Sequence, residues 1–136
     1  MEFSRTALLF GVWLTLAGCM TSPPEVSRGS QLFQDNCSVC HGNGGEGDGP
    51  AAAELTPKPA DLTRLADRNG GVFPTAEVMS AIDGYTRQGA SSKMPEFGAY
   101  LKDAETVLVD VGDGVQTPTP EPLYAVTLYL ESIQKP

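Results

Sequence analysis

Cys37-Ser38-Val39-Cys40-His41 brings together two of the three cysteines of the chain and its single histidine. C-x-x-C-H is the pattern of c-type haem attachment. Two thiols three positions apart reach the two vinyl groups on one edge of a porphyrin. The adjacent imidazole then lies under the ring and presents a nitrogen to iron. A zinc site would need a fourth ligand, and the chain offers no second histidine and no other free thiol. A thioredoxin-like dithiol would need a strand before the motif and a helix starting at it. Here Val26, Gly29, Phe33 and Cys37 fall on one face at helical spacing, so a helix from about Val26 precedes the motif. The expectation is one covalent haem on Cys37 and Cys40, with His41 as an iron ligand.

The other axial ligand follows from what remains. With one histidine, bis-histidine ligation is impossible, and Met1 and Met20 belong to the leader and the segment after it. Met79 falls in a short helical pattern, Thr75 to Asp83, with Val78, Ile82 and Tyr85 inward and Gly84 closing it, and a helical methionine is usually a core filler. Met94 lies in the loop Gly89–Gly98, held by Pro95 and with Phe97 near enough to shield it. A loop thioether is the usual partner in His/Met haem sites, so Met94 is the expected ligand.

Between these ligands, Gly42 to Pro59 is rich in glycine and proline and reads as loop. It lacks the preceding strand and the Lys-Ser/Thr of a phosphate-binding loop. The final helix is expected from Glu121-Pro122, with Leu123, Val126, Leu130 and Ile133 as its buried stripe and Tyr129 beside it. One doubtful strand runs from Thr106 to Val111.

With 136 residues, 40% apolar and 19% charged, the chain allows one small domain and a short leader. A net charge of −8 disfavours nucleic acid and favours partners with a basic docking face. The run Ala7 to Leu16 is too short to span a bilayer but suits the apolar core of a signal peptide. It ends in Leu16-Ala17-Gly18-Cys19, which resembles the lipobox of bacterial lipoproteins. That likeness implies cleavage before Cys19 and lipid on its thiol. The expected organisation is a signal peptide over 1–18, a lipidated polar tether over 19–25, and a haem domain over 26–136. No thiol pair is then left for a disulfide, which fits an exported protein.

From Gly29 to Tyr129 the chain resembles a class I cytochrome c of bacterial type. Gly29 and Phe33 match the first helix of that family, and Cys37, Cys40 and His41 match its haem motif. Gly44, Gly47, Asp48, Gly49 and Pro50, with Leu55, Pro59, Ala60, Asp61 and Leu62, resemble its glycine-rich loop. Ile82, Gly84, Met94, Pro95, Phe97 and Gly98 match its second-ligand loop, and Tyr129 its last helix. The resemblance implies an all-α fold whose first and last helices cross, around one haem c with an exposed edge. Residues 103–119 depart from the pattern as an insertion, read as a plain surface element rather than a calcium loop or a docking element.

These readings converge on a membrane-anchored electron carrier that is exported, faces the periplasm or cell exterior, and exchanges electrons with redox proteins. It is expected to catalyse no reaction and to bind no small-molecule substrate. The alternatives are a haem subunit docked permanently in a larger complex, and a gas-binding haem protein with a labile methionine.

Overall fold

The computed structural model describes residues 23–87 and 93–136. The expected signal peptide, Cys19 and most of the tether lie outside the described residues, as does part of the Met94 loop. The first helix, α1 (Pro24–Asn36), begins two residues ahead of the expected start and takes in the last two residues of the expected tether. Proline suits its first turn, where the missing N–H has no intrahelical partner to lose. A separate turn, α2 (Ser38–His41), follows Cys37 directly. Single 3-10 turns at Ala52–Glu54 and Leu62–Arg64 and the short α3 (Leu65–Arg68) fold the glycine-rich segment, and α4 (Thr75–Asp83) ends where expected, at Gly84.

The chain continues through a 3-10 turn at Tyr85–Arg87, α5 (Gly98–Leu101), a hairpin of β1 (Thr106–Asp110) and β2 (Gln116–Pro120), and α6 (Glu121–Ser132). Tyr85 does not point inward: it is 72% exposed. Gly84 turns left-handed with φ 104°, so the residue after it leaves the helical register that would have buried it.

Helices α1 and α6 make the largest contact in the fold. Gly29 and Phe33 are the buried residues of α1, and Phe33 is 0% exposed. The Phe33 and Tyr129 rings meet with centroids 5.2 Å apart at 49°, a tilted pair. At Gly29 a Cβ would sit 1.9 Å from the carbonyl oxygen of Ala125, so only glycine allows the two backbones this close. Val78, Met79 and Ile82 of α4 join Phe33, Leu123, Val126 and Leu130 in one core. Burial on α6 is wider than one stripe: Ala125 and Thr127 are buried too, while Ile133 is half-buried. The Thr127 hydroxyl donates to the Leu123 carbonyl at 2.8 Å, so its burial leaves no polar group unpaired.

The fold is mostly helical, with one addition. The insertion is an antiparallel hairpin that pairs Thr106 with Pro120 and Asp110 with Gln116. The doubtful strand is therefore real, and its partner carries Pro118 and Pro120. Glu121 N–H donates to Glu105 O at 2.8 Å, which marks 105 and 121 as a hydrogen-bonded pair. Pairing alternates along an antiparallel ladder, so Leu108–Pro118 and Thr106–Pro120 fall on non-hydrogen-bonded positions. The ladder loses nothing to either proline. Val109 and Thr119 bury the inner face, while Leu108 is 66% exposed.

Candidate haem site

Cys37 caps α1 and donates its N–H to Phe33 O at 2.8 Å, so the crossing of α1 and α6 fixes where the first thiol starts. Cys40 and His41 both return their N–H groups to Cys37 O, at 3.1 and 2.9 Å. The motif is thus one helical turn, with the two cysteines three residues apart on one face. Neither thiol is in a disulfide. Burial pushes the Cys37 thiol up to about 11, with a smaller contribution from neighbouring Cys40. It therefore stays protonated at neutral pH.

The glycine-rich loop folds back against this turn. Gly47, Gly49 and Ala51 donate to the carbonyls of His41, Cys40 and Val39, at 2.8, 3.1 and 2.9 Å. A Cβ on Gly49 would lie 2.6 Å from the carbonyl oxygens of Ser38 and Val39, so a larger residue would push the loop off the motif. Beyond the loop, the Ala60 carbonyl lies 3.0 Å from His41 Nδ1. Nδ1 carries the proton in that bond, which leaves Nε2 with its lone pair free as a metal donor.

A cleft of about 530 Å³ opens beside the motif. That size suits a bound cofactor. Its walls are Leu32, Asp35, Asn36 and Cys37 at the end of α1, Ile82 of α4, and Pro95, Phe97, Tyr100 and Leu101 before and within α5. Pro122, Leu123 and Val126 of α6 complete it. The two segments expected to ligate iron therefore border the same cavity, Cys37 from one and the neighbours of Met94 from the other. Met94 itself is half-buried and packs on the core cluster. Met79 is a buried member of that cluster, the filler role read from its helical position. Unpaired thiols, an imidazole with Nε2 free and a mainly apolar cleft fit a haem attached at the motif.

Two parts of this site were not foreseen. The Ala60 carbonyl is a backbone group with no residue signature of its own. Gln134 holds the segment that follows Ala60 through bonds spanning about half the chain, and no local pattern marks such a contact. In the insertion, the Asp110 carboxylate is taken up by its own turn, accepting from Gly112 and Gly114 N–H at 2.8 and 3.0 Å.

A small helical domain with a paired-thiol and imidazole turn beside one apolar cleft defines a haem-c-binding domain. The chain belongs to the cytochrome c family, whose model matches residues 26–109, more than half of its length. No curated protein matches the sequence. Family membership makes this a class I c-type cytochrome, an electron-carrying protein with covalently attached haem c.

Proposed function

We propose that the chain is a membrane-anchored, monohaem electron carrier, with Cys37 and Cys40 as the thioether attachments and His41 and Met94 as the axial ligands. The observation that carries this reading is the shared cleft, bordered by Cys37 and by Pro95 and Phe97, which closely follow Met94 in the chain. The bound haem supplies an iron that gains and loses one electron. His41 offers Nε2 because Ala60 occupies Nδ1. The Met94 thioether would be the second ligand from the chain, which would favour the ferrous state and leave no position for a substrate. With both ligands supplied by the chain, a change of one electron would need little rearrangement of either residue, which supports a carrier rather than an enzyme.

Lipid on Cys19 would hold the domain at a bacterial membrane surface on the exported side, with the residues between Cys19 and α1 as the tether. No helix among the described residues is long and apolar enough to cross a membrane. The negative charge of the chain favours redox partners with a basic docking face. Met94→Ala tests the ligand assignment: the sulfur-to-iron charge-transfer absorption should disappear and carbon monoxide should bind. Met79→Ala should keep that absorption and lose roughly 2–5 kcal/mol of stability as a core truncation. Loss of the absorption in the Met79 variant instead would move the ligand to Met79.

A further inference from the structure

Ala60, whose carbonyl meets His41, lies two residues before Leu62, the first residue of the second 3-10 turn. What steadies that stretch comes from the other end of the molecule. Gln134 stands just past α6. Its Nε2 donates to Leu62 O at 2.8 Å and to Leu130 O at 2.6 Å, and its Oε1 accepts from Ala66 N–H at 2.9 Å. One side-chain amide thus ties the last turn of α6 to both ends of the Leu62–Ala66 turn. The neighbouring Lys135 adds a backbone bond to Thr63 O at 2.8 Å. Leu62 N–H donates to Gly45 O at 2.6 Å, so the same turn is also fastened to the glycine-rich loop under the motif. The Asp61 carboxylate accepts from the Thr63 N–H and hydroxyl, at 2.9 and 2.6 Å, which stiffens the link between Ala60 and the clasp.

Resting on the reading of His41 as an iron ligand, we propose that Gln134 is a positioning residue that holds the Ala60 carbonyl against His41 Nδ1 and so sets the ligand strength of the imidazole. A hydrogen bond donated by Nδ1 makes the other ring nitrogen a stronger donor, and partners of this kind tune a metal site as well as orient its ligand. A stronger donor stabilises ferric iron. Slackening the turn lengthens the Nδ1–H bond, weakens that donation and favours ferrous iron. A residue that only packed the C-terminus would change stability and leave the redox balance alone.

The test compares the haem-loaded wild type with Gln134→Met, which keeps the length and removes every side-chain bond, and with Gln134→Glu, which keeps the acceptor for Ala66 and loses the donor to Leu62 and Leu130. Arg28→Met is the control. It removes the Arg28–Glu121 ion pair between α1 and the start of α6, away from this turn. At a fixed ambient potential, Gln134→Met should raise the ferrous-to-ferric ratio by roughly threefold or more, where tenfold is ~59 mV for one electron. The His41 Nδ1 proton should also exchange faster with solvent. Gln134→Glu should fall between wild type and Gln134→Met, and it carries the test alone if the methionine variant holds no haem. A ratio that moves less than threefold, or toward ferric, overturns the role of Gln134, as does an equal shift in Arg28→Met. If the wild type shows no iron-shifted His41 resonance, the ligand reading fails first; an iron-shifted His41 with an unmoved ratio sinks only the proposal for Gln134.

Discussion

Replacing Gly29 by alanine sets two effects of opposite sign against each other. In a helix interior alanine is favoured over glycine by about 1 kcal/mol, so propensity alone makes the variant more stable. Packing acts the other way. The added methyl would lie 1.9 Å from Ala125 O, 2.5 Å from Ala125 C and 3.0 Å from Tyr129 Cβ, against an ordinary contact of 3.4 Å or more. Its main obstacle is backbone, so it cannot be relieved by a rotamer change. The helices must part by about 1.5 Å at the crossing. Overpacking of this kind costs about 1–3 kcal/mol. Separation also loosens the Phe33–Tyr129 pair, worth about 0.5–1.5 kcal/mol beyond its buried area. After the gain in propensity, the expected net loss is about 2 kcal/mol. With a urea dependence of roughly 1–3 kcal/mol per molar, the unfolding midpoint should fall by ~1 M. Urea titration of the haem-loaded protein, followed by far-ultraviolet circular dichroism and haem absorption, reads this directly. A Gly29→Ala midpoint at or above wild type would refute the close-approach argument.

Cys37→Ala and Cys40→Ala should each leave haem joined by one bond, and His41→Ala should yield no stable holoprotein; mass spectrometry of proteolytic peptides must find haem on residues 37–41, or the attachment site lies elsewhere. The Asp110 carboxyl is held below its ordinary value of 3.8, first by the Gly112 N–H and then by the Gly114 N–H. A depressed folded value means that its contribution is present above the ordinary value and lost as pH falls through the lowered one. Amide exchange at Gly112 and Gly114 should therefore speed up in acid beyond the intrinsic trend, and at neutral pH in Asp110→Ala; indifference to both would show that the tip does not depend on this carboxylate. Cys19→Ser should move the protein from detergent into buffer with its haem intact, and a wild-type chain without lipid at Cys19 would remove the anchor.

Local chemistry made several elements legible. Gly84 marks the end of α4 because a left-handed residue closes the helix there, and Pro122 marks the start of α6 because the first turn needs no N–H from it. The haem motif was readable because its spacing has a covalent reason. The second strand was not. Proline usually demotes a strand, and whether Pro118 and Pro120 fall on bonded or unbonded positions depends on a register that only the partner strand defines. Tyr85 was misplaced because helical spacing was carried one residue past the glycine that ends it. The Ala60 carbonyl and the Gln134 clasp stayed hidden for a different reason: each is specified by a meeting of distant segments, and neither Gln134 nor Ala60 carries a local signature of that meeting.

The two prolines of β2 also decide how the hairpin meets other chains. Because they sit at non-hydrogen-bonded positions, their nitrogens face away from β1, along the outer margin of the sheet. That margin has no donor at 118 or 120, and Gln116 is the one position of β2 whose N–H faces outward, so an incoming strand cannot complete a ladder there. The margin of β1 keeps its outward N–H groups at Thr106, Leu108 and Asp110. Uncontrolled strand addition, the hazard of any small exposed sheet, is thereby confined to one side. On that side the carboxylate of Asp110 stands at the end of the strand and adds a like-charge penalty when a second copy of this acidic chain approaches.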